Sequence, residues 1–276
     1  MGRIAPGIVA ASRTTLGVIR GFPPALWRAF SRGWAGCGQA LGDLLFPWSC
    51  LVCAAEGEGW SGPFCPDCRT HLLADARAAG AGACPRCALP VGPHADLRGG
   101  CSLCRDKPLG FDRALALGPY EGTIRDLCLR LKHEPNAWLA PWLSGLLAEA
   151  QAVALGALPG DSWVVPVPLH WRRRLLRGYN QAEALAQGLA HRRGLEAHRV
   201  LRRVRATDRL AHLKATERMK AMRGAFVARH APGLKRRTVL LVDDILTTGA
   251  TAGAAARALK QAGARHVVLA VVGRTL

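Results

Sequence analysis

The sequence has no run of roughly 18 uninterrupted apolar residues, the length a membrane span requires. In the N-terminal region, where such a run comes closest, Arg13, Arg20, Arg28 and Arg32 break it up. A spanning helix is therefore not expected, and the chain reads as soluble. There is no G-x-G-x-x-G, which excludes the dinucleotide-binding fingerprint, and no Lys after the glycine in a G-x-x-x-x-G-K-[ST] frame, which excludes a P-loop. Acids are scarce, 19 Asp+Glu against 38 Lys+Arg, and aromatics make up only 6%. No tandem repeat stands out beyond the cysteine pairs. Half of the 276 residues are apolar, which excludes disorder and collagen and provides a core for about two ordinary domains.

The net charge of +19 is unevenly spread. Residues 1–169 hold 15 Lys+Arg and 13 Asp+Glu, residues 170–237 hold 19 and 4, and residues 238–276 hold 4 and 2. One segment thus carries the basicity, with Arg in large excess over Lys. Such a field suits a polyanionic partner through bidentate phosphate contacts. A genome that favours Arg, Ala and Gly would write the same composition without one. Only Trp171, Tyr179 and Phe226 supply aromatic rings in the basic segment, so base stacking there would be modest.

Eight of the ten cysteines form four C-x-x-C pairs, Cys50/Cys53, Cys65/Cys68, Cys84/Cys87 and Cys101/Cys104, while Cys37 and Cys128 stand alone. Each pair aims two thiolates at one centre, and two pairs complete a tetrahedral Cys₄ site for Zn²⁺. Two structural zinc ions are expected, because four thiolates leave no open position for substrate. Sequential pairing closes loops of only 11 and 13 residues and costs less chain entropy than a crossed arrangement, which remains the alternative. Disulfides would require an oxidising compartment, for which the leader-like features of residues 1–12 argue weakly. Ferredoxin spacings differ from these. Pro66 and Pro85 inside the pairs, with scattered glycines, predict knuckles rather than regular helices, and the metal is expected to fold residues 50–104.

The sharpest signal lies near the C-terminus. Val239–Val242 reads as a buried strand ending in Asp243 and Asp244, and Gly249 then permits a tight turn with inward amides. A helix from about Thr251 to Gln261 follows, stopped by Gly263, and His266–Val272 returns as a second strand. This is a βαβ unit with a parallel sheet, and its helix N-terminus favours an anion at the carboxyl end of the first strand. Thr247, Thr248, Gly249, Ala250 and Thr251 form the expected loop for a 5′-phosphate. Asp243 and Asp244 are the candidate catalytic residues, accepting hydrogen bonds from vicinal ribose hydroxyls or favouring positive charge on a sugar ring. A strand-end acid pair and helix-capping threonines would be the plainer reading.

Val239–Thr251 closely resembles the PRPP-binding motif of type I phosphoribosyltransferases. Over residues 40–274 the chain is similar to ComF-type proteins of the competence family. Further matches are Phe46–Cys50, Leu129–His133, Val164–His170, Arg177–Gln181, Leu201–Thr207 and Gly224–Phe226, in that order. The resemblance implies an α/β, parallel-sheet type I phosphoribosyltransferase-like fold behind an N-terminal double zinc ribbon, binding PRPP with Mg²⁺. In this frame Pro166, Val167 and Pro168 form a rigid loop presenting amides to pyrophosphate, joined by the Arg177 guanidinium. A sheet-edge strand and an ordinary helix start would explain the same residues. Arg199–Arg223 corresponds to a mobile covering loop. Lys132 and Tyr120 fall where an acceptor base would be chosen. Leu210 and Ala221 replace the Gln and Asn usual in the family, a departure that bears on the competence of that loop.

The expected organisation is an extension over 1–38, disordered or amphipathic, a short helix leading into a double zinc ribbon over 39–108, and a phosphoribosyltransferase-like domain over 109–276. Pro6, Pro23 and Pro24 interrupt the extension, and a misassigned start would also explain it. Within the last part, Leu127–Leu131, Trp138–Ala154 and Asn180–His191 are predicted helices. Three functions compete. An enzyme would pass the phosphoribosyl group of PRPP to a nitrogen base. A DNA-handling factor would bind single-stranded DNA through Arg177, Arg203, Arg205, Lys214 and Arg218 during uptake. An adaptor would use the ribbons to recruit an uptake helicase or channel protein. The expected location is the cytoplasm or the inner face of the membrane.

Overall fold

The computed structural model describes residues 49–276 apart from 58, 59, 61, 93, 172, 173, 176, 177, 206–216, 218–220 and 230. The expected extension over 1–38 and the short helix before Cys50 lie outside the described residues, as do Arg177, Lys214, Arg218 and Leu210.

The long apolar runs of the sequence form a parallel sheet. Its strands are β1 (Arg113–Pro119), β2 (Trp163–Pro166), β3 (Glu196–Ala197), and the two longest, here numbered β6 (Thr238–Leu246) and β7 (His266–Arg274). Spatial order is β1-β7-β6-β2-β3. β6 and β7 run in register from Thr238 opposite His266 to Leu246 opposite Arg274. A separate antiparallel ribbon joins β4 (Leu201–Arg203) to β5 (Phe226–Ala228), with Arg203 opposite Phe226. The helices in chain order are α1 (Pro66–Ala81), α2 (Gly122–Arg130), α3 (Ala140–Ala150), α4 (Ala152–Gly156), α5 (Gln181–Arg193) and α6 (Ala250–Gln261).

Both faces of the sheet are buried, which is why its strands read as unbroken apolar runs rather than as alternation. Val239 and Leu241 of β6, with Val267, Leu269 and Val271 of β7, face α6, the β4–β5 ribbon and the second group of cysteines. Leu240, Val242, Ala270 and Val272 face the other way, against α1, α2, α3 and α5. The cysteine-bearing segment straddles β1: Leu72, Leu73 and Ala76 of α1 pack with Leu115 and Leu117, while Cys84, Cys87, Cys101 and Cys104 share a core with Ala114 and Ala116.

Three elements differ from the sequence reading. β6 does not end in the acid pair but continues past it to Leu246, because β7 offers ladder partners as far as Arg274. Cys65–Cys68 is not a knuckle: Cys65 caps α1, Pro66 occupies its first turn, and the helix runs 16 residues. Proline lacks only an amide that no helical carbonyl would receive there. The expected helix over Trp138–Ala154 is divided into a 3₁₀ turn (Glu134–Leu139), α3 and α4, with Gln151 leaving helical geometry at φ −108° and ψ 27°.

Candidate functional site

The cysteine thiols gather in two sequential groups, Cys50, Cys53, Cys65 and Cys68, and Cys84, Cys87, Cys101 and Cys104, with the sulfurs of each group within 4.8 Å of one another. Zn–S bonds of about 2.3 Å in a tetrahedron give S···S edges of about 3.8 Å. The observed separations are 3.8 Å for Cys53–Cys65, 3.6 Å for Cys84–Cys104 and 3.7 Å for Cys87–Cys101. The donor set therefore fits zinc in both groups. Amides also point at the sulfurs, Cys65 N to Cys50 Sγ at 3.4 Å and Cys101 N to Cys84 Sγ at 3.3 Å. Burial raises the Cys50 and Cys84 thiols, but the surrounding amides outweigh it and bring them down to about 6 and about 7. Burial and the neighbouring thiols push Cys68, Cys87 and Cys104 the other way, so each group favours ionisation at its leading cysteine.

The leading half of each group is the same small hairpin. Cys50 N and Cys84 N donate to the carbonyls of Ala55 and Leu89, and Ala54 N and Ala88 N donate back to Cys50 and Cys84. Ala54 and Ala88 hold positive φ of 58° and 55° at equivalent positions. The trailing halves differ: Cys65/Cys68 opens a helix, and Cys101/Cys104 forms a turn.

At the carboxyl end of the sheet lies a cavity of about 340 Å³. β6 delivers Asp243 and Asp244 to it, the following loop delivers Thr247 and Gly249, and the first turn of α6 delivers Thr251. Gly249 takes φ 78° to turn from strand to helix, a conformation that costs a side-chain-bearing residue about 1–2 kcal/mol. The leading amides of α6 have no intrahelical acceptors and carry the positive dipole end. Across the cavity stand Val167, Pro168 and Leu169, with Asn180 and Gln181 from the start of α5. Asn180 Nδ2 donates to the Val167 carbonyl at 3.2 Å while its Oδ1 accepts from Ala182 N at 3.2 Å, fixing that loop to α5.

The charges in this cavity are mixed. Burial and the adjacent Asp244 carboxylate push the Asp243 carboxyl well above the usual range, against opposing help from its neighbour's amide and from Arg203. Asp244 N donates to Asp243 Oδ1 at 2.9 Å. Arg203 and Lys132 line the same space, and Lys132 Nζ stands 6.0 Å from the centre of the Tyr120 ring. Two acids and two cations in one cavity suit a ligand that offers both hydroxyl donors and phosphate acceptors.

The structure thus brings Asp243, Asp244, Thr247, Gly249, Thr251, Val167, Pro168, Arg203, Tyr120 and Lys132 to one cavity. Pro166 is elsewhere, inside β2 opposite Val242. Ala250 donates to Thr248 Oγ1 at 3.4 Å, and Thr248 lines a neighbouring cavity instead. Arg205 Nη1 donates to the Arg223 carbonyl at 3.1 Å, away from the cavity lining.

Two residues that hold the loop escaped the sequence reading. Arg274 Nε donates to the Cys87 carbonyl at 2.8 Å, and its Nη1 donates to Thr247 O at 2.8 Å and Leu246 O at 3.2 Å. Gly253 of α6 meets the chain leaving the second cysteine group: an added Cβ there would lie 2.2 Å from the Leu109 carbonyl oxygen, and one on Gly110 2.4 Å from the Gly253 oxygen. The signal for Arg274 was a cation ending an apolar strand whose partner strand ends at the loop.

Residues 177–274 match the family model described as phosphoribosyl transferase domain. The chain is 34% identical over 196 residues to DNA utilization protein YhgH of Salmonella typhi, covering 70% of this chain and 84% of that protein. It is 29% identical over 171 residues to competence protein F of Haemophilus influenzae, covering 60% and 75%. It is 27% identical over 184 residues to competence protein ComFC of Bacillus subtilis, covering 65% and 72%. Among the described residues no helix is long and apolar enough to cross a membrane.

Proposed function

The chain belongs to the ComF-type family of competence and DNA utilization proteins, and we propose that its cradle holds the 5′-phosphate and sugar of PRPP, or the deoxyribose phosphate of single-stranded DNA during uptake. One observation carries the reading: both carboxylates at the end of β6 share a cavity with the glycine turn and the α6 N-terminus. The turn amides receive phosphate oxygens, and the acids accept from sugar hydroxyls. An acid pair beside a phosphate loop is otherwise an electrostatic mismatch.

Asp243 and Asp244 offer the oxygen ligands a hard dication prefers, and Mg²⁺ arriving with PRPP would offset the charge crowded there while neutralising pyrophosphate. Val167 and Pro168 would lie along the pyrophosphate, and Arg177, outside the described residues, is assigned to it by its charge. Arg203 faces the cavity, and Arg177, Arg205, Lys214 and Arg218 are assigned to the DNA backbone because of the charge their segment carries. Inside a DNA strand the 2′-hydroxyl is absent and the 3′-oxygen is esterified, so the acids find no sugar hydroxyl and the affinity should come from these cations and the turn amides. The work would be cytoplasmic, with an uptake helicase or channel protein as partner.

Active transfer to a nitrogen base is the second reading, favoured by Tyr120 and Lys132, which line the cavity without belonging to the phosphate loop. Positioning and electrostatics would supply the rate, since no side chain need become a nucleophile. The test is a calorimetric titration with PRPP·Mg²⁺ and with a short single strand, together and apart. Mutual exclusion, with loss of PRPP binding in Asp244→Asn, is expected. PRPP affinity unchanged in that variant would refute the cradle.

A further inference from the structure

The loop Thr247–Gly249 is a wall common to two cavities. Its second side faces a larger space of about 610 Å³, within the range of small-ligand sites. This space is built by the second cysteine group and the chain leaving it, through Leu103, Lys107, Pro108 and Leu109, and it is closed by Arg274. Most of the lining is apolar. The charged side chains among its described lining residues, Lys107 and Arg274, are both cations. Leu103 sits between two metal-binding cysteines yet is 52% exposed, so nothing in the fold requires an apolar side chain there.

A monomeric phosphoribosyl ligand has no use for this second space, because its 5′-phosphate is terminal. In a polynucleotide the same phosphate is a diester, and its other ester oxygen carries the 3′-carbon of the preceding nucleotide. A strand held at the loop must therefore continue past it. We propose that the second cavity receives the nucleoside on the 5′ side of the phosphate bound at Thr247–Gly249, with its base against Leu103, Pro108 and Leu109 and its own phosphate facing Lys107. The zinc-bearing segment then forms half of a polynucleotide subsite, and PRPP and single-stranded DNA share one cradle but not the other. This rests on the cradle reading above. The cationic side chains argue for a nucleic-acid occupant, since an apolar groove whose charged side chains, Lys107 and Arg274, are both cations complements a base and its phosphate.

The experiment measures binding of the full chain to PRPP·Mg²⁺ by calorimetry and to a 3′-labelled single-stranded decanucleotide by anisotropy at fixed salt, for wild type, Leu103→Asp, Lys107→Glu and, as a charge control, Arg98→Ala. Zinc content and melting temperature establish that each variant is folded. Leu103→Asp is expected to weaken decanucleotide binding roughly tenfold, the scale of one lost apolar contact, with PRPP affinity unchanged. Lys107→Glu should weaken it as well, and Arg98→Ala much less. Decanucleotide affinity unchanged in both Leu103→Asp and Lys107→Glu, equal losses in Arg98→Ala, or no decanucleotide binding by wild type would overturn the proposal. If wild type binds the decanucleotide but not PRPP, the ribose cradle fails on its own, and the response of Leu103→Asp still decides the second cavity.

Discussion

Arg274 holds Cys87 and Thr247 with one guanidinium, its Nε donating to the first carbonyl and its Nη1 to the second, each at 2.8 Å. The second cysteine group and the loop after β6 are therefore braced against the same side chain. Hydrogen bonds from a charged donor are worth about 1.5–3 kcal/mol. Arg274→Ala is expected to lower the melting temperature by several degrees and to weaken PRPP·Mg²⁺ binding in calorimetry, whereas Arg98→Ala, at a 94% exposed side chain, should change neither.

Gly253 and Gly110 let two backbones touch. A methyl on Gly253 would meet the Leu109 carbonyl at 2.2 Å, a contact that only backbone displacement relieves. Gly253→Ala should destabilise by about 1–3 kcal/mol, the scale of overpacking, seen as a lower urea midpoint. Gly156 at the end of α4 has nothing within 4 Å of an added Cβ, so Gly156→Ala should be neutral or raise the midpoint by up to about 1 kcal/mol.

Asp243 gives the fold a pH signature. Burial and the Asp244 carboxylate raise its carboxyl well above the usual range. Between the ordinary carboxylate value and the raised one, the folded chain holds a proton that the unfolded chain has released, so this group's contribution makes stability fall as pH rises through that window. Asp243→Asn removes the penalty while keeping an oxygen for the Asp244 amide. The variant should melt higher than wild type by several degrees near neutral pH, and the two curves should converge below about pH 4, where both chains are uncharged at this position. Thermal melts across pH in the absence of ligand check this.

Metal removal should separate the two cysteine groups. The second group is buried at all four positions, whereas Cys53 of the first is exposed and Cys68 half-buried. Two zinc ions per chain are expected by elemental analysis. Cys84→Ser and Cys53→Ser should each lose about one, with Cys84→Ser the more destabilising because its group belongs to the core beneath α6. At Ala88, φ of 55° disfavours a side chain, so Ala88→Gly should be neutral or stabilising by up to about 1 kcal/mol.

Much of the site was legible because its chemistry is local. Two acids, a glycine turn and an Ala-rich helix follow one another between residues 243 and 261, so the apolar runs and the glycines bounding them placed the βαβ unit. The reach of β6 past the acid pair was not legible, since acids end a strand in propensity terms and only pairing with β7, Asp243 opposite Val271 and Ile245 opposite Gly273, carries the ladder on to Leu246. α1 was hidden by its metal ligands: Pro66 signals a helix start, but inside a C-x-x-C pair it reads as a turn. Arg274 acts across 187 residues of sequence on Cys87, a relation no local pattern carries.

The position of the cysteine-bearing segment astride β1 has a further consequence. β1 is an outermost strand, seven residues long with five buried in succession, and such an edge offers unpaired main-chain groups to any other chain. Here the segment from Ala79 to Pro90 runs beside it, and Gln151 Nε2 occupies the Ala116 carbonyl at 2.9 Å. The segment that leads into the second cysteine group therefore lies along the free edge of β1. A chain stripped of metal would betray itself first through self-association, with light scattering rising ahead of any loss of helical signal.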